Sequence, residues 1–103
     1  REAVKRVRIS EEIKQYIVAV TAATRSFAGV QLGASPRGSL ALMKMAQASA
    51  LYDGRDFVTP ELVQEMAAPV LAHRLVMDPQ ARFSGLTAGR VIEDVLKKIP
   101  APA

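Results

Sequence analysis

One short segment of the sequence combines residue types that favour anion binding. It reads Leu-Gly-Ala-Ser-Pro-Arg-Gly over residues 32–38. Serine followed by proline is a strong helix-start signal, because the hydroxyl caps the first turn and proline fits the first helical position. Arg37 would then lie in that first turn, where free backbone N–H groups and the helix dipole attract negative charge. From the spacing alone, an ordinary helix start with Arg37 as a surface charge is the favoured interpretation, and a phosphate ligand at this turn is the alternative.

The remaining polar residues do not form the pattern of a catalytic or metal site. The chain has no cysteine and a single histidine, His73, which excludes thiolate and multi-histidine metal sites. No nucleophile or orienting carboxylate stands at an obvious spacing from His73, so we expect a partly packed histidine near a helix end. Glu11-Glu12 is typical of a helix start, and Glu93-Asp94 of a solvated helix face. We predict no metal ligands in this chain.

Length and composition predict one helical domain. The chain has 103 residues, of which 50% are apolar and 5% aromatic, and 17 are alanine. Apolar residues recur at helical spacing in four stretches, each with its own start and stop signals. These stretches predict an all-α fold, a small four-helix bundle with helices at about 11–27, 36–52, 60–75 and 87–99.

Several local features refine this prediction. Pro69 should break or kink the third helix near Ala68. The second helix is apolar on most sides, which predicts a place in the middle of the bundle. Residues 29–35 are predicted as a loop, and short extended stretches are predicted at Val7–Ile9 and around Arg82-Phe83.

Charge and hydropathy bear on the partners. The chain has 14 basic and 10 acidic residues, a net charge of +4, but most of that excess lies within the first eight residues. We therefore expect a solvated surface rather than a DNA-binding face, and nucleic acid is not the expected partner. No membrane-spanning run or signal peptide is visible, so a cytoplasmic location and no membrane association are expected.

The ends of the sequence suggest a piece of a longer polypeptide. It begins with Arg1 rather than methionine and ends with Pro-Ala-Pro-Ala at residues 100–103. We interpret residues 1–103 as one domain, with residues 1–9 as a linker from a preceding domain.

Residues 33–37, Gly-Ala-Ser-Pro-Arg, resemble the sensor-2 motif of the MoxR family of AAA+ ATPases. The resemblance covers about residues 7–102, nearly the whole chain, with its landmarks in order. One position departs from the family pattern, because Gly38 stands where alanine is more common. The other matching segments are Tyr16-Ile17, residues 23–25, 39–42, 54–60, 69–75 and 95–100.

This resemblance implies a fold and a function. It implies the helical lid that follows the nucleotide-binding core, and it makes Arg37 the sensor-2 arginine, directed at the γ-phosphate of ATP at a subunit boundary. The implied cofactor is ATP, bound here by Gly33, Ala34, Ser35, Pro36 and Arg37, with Mg²⁺ held by the ATPase core. The implied partners are the core of the same chain, neighbouring subunits of a hexameric, chaperone-like ring, and a von Willebrand factor A domain protein.

The chain alone lacks the other parts of an ATPase. It contains no G-x-x-x-x-G-K-[ST] phosphate loop and no apolar strand ending in paired acidic residues. We therefore expect ATP hydrolysis by the parent protein, meaning the longer polypeptide implied by the resemblance, and none by this chain alone. A basic helical DNA-binding module and a protein-interaction bundle remain the alternatives. Three further arginines, Arg25, Arg55 and Arg74, belong to the matching segments, and each could equally brace a loop or cap backbone carbonyls. We expect structural roles for two of the three.

Overall fold

A computed structural model describes residues 6–102 of the chain. Helices dominate it, and they are joined by a small two-stranded ribbon, which confirms the predicted all-α class. The elements in chain order are α1 (Glu11–Arg25), β1 (Val30–Leu32), α2 (Pro36–Tyr52), α3 (Pro60–Leu71), a 3₁₀ helix (Ala72–Arg74), β2 (Val76–Met77), α4 (Pro79–Phe83) and α5 (Ala88–Lys98).

The four long helices begin where the sequence predicts. In each case a serine or threonine hydroxyl accepts a hydrogen bond from a backbone N–H of the first turn, at donor–acceptor distances between 3.1 and 3.3 Å. Such a cap satisfies a donor that the helix itself leaves without a partner. The four capping residues are Ser10, Ser35, Thr59 and Thr87.

One apolar core holds the four long helices together. Each contributes a large side chain with almost no exposed surface: Ile17 from α1, Leu42 from α2, Leu71 from α3 and Ile92 from α5. The helix faces that pack against one another are those with apolar residues at helical spacing. The resulting bundle fixes the position of the α2 N-terminus relative to α1 and α3.

The ribbon was not predicted from the sequence. Strands β1 and β2 pair in antiparallel fashion, with Val30 opposite Met77 and Leu32 opposite Val76. Residues 30–32 are therefore a strand rather than a loop. The extended stretch predicted around Arg82-Phe83 is wrong, because those residues end α4, which begins at Pro79 after the Asp78 cap.

Two helix ends also differ from the prediction. Helix α1 stops at Arg25, two residues early, and the chain turns through Gly29 at φ +92°. Helix α3 is not broken at Ala68, since it continues through Pro69 to Leu71 and ends in the 3₁₀ turn. The exposed proline removes one N–H donor near the end of a helix that packing of the opposite face holds in place.

Helix α2 is not surrounded by the bundle. Only Gly38, Leu42, Ala46 and Ala50 are buried, which places one face against the core. The prediction of a central helix is therefore wrong, because apolar residues on its other sides remain about half exposed, namely Leu40, Met45 and Leu51. No helix within residues 6–102 is long and apolar enough to cross a membrane.

The predicted extended stretch near the N-terminus packs onto the bundle. We call Val7–Ile9 the N-terminal strap. Arg8 forms an isolated parallel bridge with Phe57, through backbone hydrogen bonds of 2.8 Å to the Asp56 carbonyl and 2.9 Å from the Val58 N–H. Val7 is 3% exposed, and its carbonyl accepts a hydrogen bond of 2.9 Å from Gln47 Nε2 of α2.

Candidate phosphate-binding site

The segment that leads into α2 is fastened to the end of α1 at Ala34. The Ala34 N–H donates to Thr24 Oγ1 at 3.0 Å, and the Ala34 carbonyl accepts from Arg25 Nη1 at 2.7 Å. Ala34 is fully buried, so both of its backbone polar groups need partners inside the protein. We call these two hydrogen bonds the Ala34 latch.

Glycine at position 33 leaves the space that the two hydrogen bonds of the Ala34 latch need in order to form. A Cβ atom at this position would lie 2.6 Å from both the Cα and the backbone N of Arg25. These are backbone atoms of α1 and cannot move aside as a flexible side chain could. Glycine is therefore required by the close approach of two backbone segments rather than by a left-handed backbone conformation.

The first turn of α2 uses its own backbone donors. The Arg37 N–H donates to Ser35 Oγ at 3.3 Å, and the Gly38 N–H donates to the Ser35 carbonyl at 2.8 Å. Pro36, the first helical residue, has no N–H. The sequence-based expectation of free backbone donors at this turn is therefore wrong at these positions. Attraction of an anion would come from the helix dipole and the arginine side chains.

Arg37 presents its charge to solvent. Its side chain is exposed, and within residues 6–102 its guanidinium makes no hydrogen bond or ion pair. The first turn of α2 contains no acidic residue, in contrast to the first turns of α1 and α3. An exposed guanidinium without a carboxylate partner is available to a phosphate group.

A second arginine lies beside the same turn. Gly38 is buried, and a Cβ there would lie 3.1 Å from Cδ2 of Leu71 and 3.6 Å from Cδ of Arg74. The aliphatic part of Arg74 therefore passes close to the residue that follows Arg37. Alanine at position 38 would press on the fully buried Leu71, which gives a packing reason for the glycine found here.

The structure divides the five predicted site residues into two groups. Gly33 lies against the backbone of Arg25 and Ala34 is buried, so these two hold the segment in place, while Ser35, Pro36 and Arg37 are exposed at the start of α2. Only Arg37 among them carries a charge. Residues 33–37 thus support and present one arginine rather than enclose a ligand.

The remaining candidates fall outside this group or support it. Arg25 has a structural role of the kind predicted for two of the three arginines, since it donates to the Ala34 carbonyl and braces that loop. Arg55 is exposed on the connector between α2 and α3, and His73 is exposed in the 3₁₀ helix rather than partly packed. The role of Thr24 was missed, although the Thr24-Arg25 pair belongs to the matching segments. A threonine in the last turn of a helix is a weak signal, because it gives no indication of a partner ten residues away.

Comparison with protein families matches residues 22–95 to the AAA lid domain. The match runs from the last turn of α1 into α5 and includes the Ala34 latch and Arg37. The chain belongs to the AAA lid domain family. The resemblance drawn from the sequence is thereby confirmed.

Named relatives identify the branch of the family. The chain is 35% identical to the chaperone MoxR1 of Mycobacterium tuberculosis over 91% of its length, and 38% identical to the protein MoxR of Paracoccus denitrificans over 69%. It is 43% identical over 96% of its length to the uncharacterized protein YeaC of Bacillus subtilis. The chain spans 31%, 27% and 21% of the lengths of YeaC, MoxR1 and the Paracoccus protein, respectively. These relatives place this AAA lid domain among the MoxR proteins.

A solved structure has the same fold. A crystal structure from Cytophaga hutchinsonii, described as a "putative ATPase", superposes with a TM-score of 0.91 at 30% sequence identity. The superposition covers 99% of this chain and 34% of the other. The lid domain therefore corresponds to about a third of that larger protein.

Proposed function

We propose that this lid domain belongs to a MoxR-type AAA+ ATPase and contributes Arg37 to the sensing of ATP phosphate. The observation that carries the proposal is the exposed Arg37 guanidinium, which has no partner within residues 6–102 and follows a backbone segment fixed by the Ala34 latch. A cation held by a rigid support stabilises charge that develops on a transferring phosphoryl group. Membership of the AAA lid domain family supports ATP as the source of that phosphate.

The residues present fit a phosphate rather than a whole nucleotide. Arg37 and Arg74 lie beside one helix start that carries no acidic residue in its first turn. ATP with Mg²⁺, bound by the core of the parent protein, would supply the phosphoryl group that is transferred. This chain would contribute a positive charge to it. Hydrolysis is therefore assigned to the parent protein and not to the chain alone.

The proposed partners follow from this assignment. They are the AAA+ core of the same polypeptide and neighbouring subunits of a ring, with six subunits as the expected number. A chaperone-like role in the cytoplasm, with a von Willebrand factor A domain protein as partner, completes the proposal. The name of the relative MoxR1, a chaperone, supports this role. Movement of the lid with nucleotide state would change the contacts between subunits.

The test is ATP turnover by the parent protein with Arg37→Ala, with nucleotide affinity measured alongside. We expect turnover to fall about 100-fold, as on loss of one preorganised donor to the transition state, while ATP still binds. The melting temperature of the 103-residue chain should change by less than about 3 °C, because an exposed side chain contributes little to packing.

Arg82→Ala is the matched control, since Arg82 is an exposed arginine in α4, outside the candidate site. We expect it to leave turnover unchanged. Unchanged turnover in Arg37→Ala would contradict the proposal. A fall of many degrees in the melting temperature would instead make Arg37 a structural residue.

A further inference from the structure

The Ala34 latch joins the last turn of α1 to the residue immediately before the α2 cap. Two consecutive residues bind the backbone polar groups of Ala34. Thr24 accepts a hydrogen bond from the N–H, and Arg25 donates one to the carbonyl. Neither bond belongs to a helix or to the ribbon. Because both polar groups of a fully buried residue depend on them, the latch fixes the position of Ala34 closely.

The α1 side of the latch is itself held by buried hydrogen bonds. Thr24 Oγ1 donates to the Thr21 carbonyl at 2.6 Å, and Thr21 Oγ1 donates to the Ile17 carbonyl at 2.9 Å. Both threonines are about 1% exposed or less. The Thr24 hydroxyl therefore has its proton committed to α1 and its lone pair directed at the Ala34 N–H.

The α2 side leads directly to Arg37. Ser35 follows Ala34, and it caps the helix by accepting the Arg37 N–H with its hydroxyl and the Gly38 N–H with its carbonyl. Pro36 fixes one further backbone angle. Few torsions are free between the buried Ala34 and the Arg37 backbone, so a displacement of Ala34 is passed on to Arg37.

We propose that Arg25 and Thr24 are positioning residues, which orient Arg37 for the phosphate by holding Ala34. This inference rests on the proposed function of Arg37. Arg25 acts through the Ala34 carbonyl and does not touch the phosphate. The latch thus links Thr24 and Arg25 to Ala34, which lies ten and nine positions later in the sequence, respectively.

The test combines substitutions at Arg25 and Arg37 in the parent protein. Arg25→Met removes the donors and keeps most of the aliphatic stem, so we expect the kcat for ATP hydrolysis to fall at least tenfold, with KM changed less than threefold. Arg25→Lys keeps one donor and should restore much of the loss. The double variant should turn over ATP at more than half the rate of Arg37→Ala alone. The reason is that Arg25 acts only through Arg37, so its loss has no further effect once the Arg37 guanidinium is absent.

A structural measurement checks the same step without catalysis. Amide hydrogen exchange in the 103-residue chain should be faster at Ala34, Arg37 and Gly38 in Arg25→Met than in the unmodified chain. Arg82→Ala is again the control for removal of an exposed arginine. If Arg25→Met does not fold, Thr24→Val serves instead, since valine has a similar shape to threonine but no hydroxyl. It removes the other hydrogen bond of the latch, and the same exchange rates are compared.

The possible outcomes separate this inference from the proposed function. A loss in Arg37→Ala without a loss in Arg25→Met or Thr24→Val overturns the positioning role and leaves the role of Arg37 intact. Independent losses that multiply in the double variant also overturn it, since Arg25 would then act on the phosphate itself. Unchanged turnover in Arg37→Ala overturns both.

Discussion

Glycine is needed at position 33 because the backbone there packs closely against Arg25, and not because the chain must turn in a left-handed conformation. Positive φ angles are found at Gly29, Gly54 and Gly85, and not at Gly33. In the sequence, Gly33 belongs to an unusual segment. The sequence alone suggests that glycine is needed there because it permits a tight turn. The actual reason, the backbone of Arg25 at 2.6 Å from a Cβ, depends on a contact between residues eight positions apart.

Gly33→Ala should therefore destabilise the domain. We expect the free energy of unfolding to fall by about 1–3 kcal/mol, as for other overpacked sites, because the Ala34 latch must open to make room for the methyl group. Urea unfolding of the 103-residue chain, followed by circular dichroism, measures the change.

Gly89→Ala is the matched control for this substitution. Apart from its chain neighbours and the backbone of its own helix, no atom of residues 6–102 lies within 4 Å of a Cβ at Gly89, which is in the first turn of α5. Alanine there should leave stability unchanged or raise it by up to about 1 kcal/mol, through the higher helix propensity of alanine. Equal stability of the two variants would contradict the close approach at Gly33.

At the scale of elements, the sequence predicts those features whose signals lie within a few residues of one another. Each cap and its first turn lie within four residues of sequence, so the starts of the long helices could be predicted. The ribbon could not, because β1 has three residues, β2 has two, and 43 residues separate the two strands. For the same reason the predicted site includes Arg37, which has a local signature, but misses the role of Thr24, whose partner comes from another element.

Helix α2 shows where composition misled the prediction. Its apolar residues surround the helix, yet burial follows one row at four-residue spacing, through Gly38, Leu42, Ala46 and Ala50. Small side chains in this row let α2 approach its neighbours closely. Apolar composition alone does not distinguish a buried helix from one whose outer side lies against a further domain.

Two leucines on α2 test this orientation. Leu42 is fully buried and Leu40 is 47% exposed, although they are two residues apart on the same helix. Leu42→Ala should lower the free energy of unfolding by about 2–5 kcal/mol, through lost burial and the cavity left behind.

Leu40→Ala should cost less than about 1.5 kcal/mol, because much of that side chain already contacts water. Chemical denaturation of the 103-residue chain provides both values. A larger loss for Leu40 than for Leu42 would show that α2 is rotated from the orientation described here.

At the scale of the whole molecule, the packed unit is larger than the family match. The match begins at residue 22, whereas α1 begins at Glu11 and the N-terminal strap contacts the connector between α2 and α3. Surface charge contributes little to this unit, because three of the four side chains in its two ion pairs within residues 6–102 are largely exposed. Apolar burial, backbone pairing and the Gln47 hydrogen bond are therefore the main contacts that hold the strap. The linker from an ATPase core that is predicted over residues 1–9 lies partly outside the described residues, and it stays a prediction.

Removal of the strap should weaken the whole domain. A chain that begins at Ser10 loses the buried Val7 side chain, the 2.9 Å hydrogen bond from Gln47 and both bonds of the Arg8 bridge. We expect its free energy of unfolding to be about 2–4 kcal/mol lower than that of a chain that begins at Arg6. The buried valine contributes about 1.5–3 kcal/mol and each of the three hydrogen bonds about 1 kcal/mol, and the conformational entropy lost on ordering the strap offsets part of this sum. The chain from Arg6 is the control, because it keeps every one of these contacts.

Thermal and urea unfolding measure the stability of both chains. Gln47→Leu in the longer chain removes only the hydrogen bond to the Val7 carbonyl, so its effect separates that bond from the burial of the Val7 side chain. Equal stability of the two chains would place the strap outside the cooperative unit, and the lid would then move independently of the segment that precedes it.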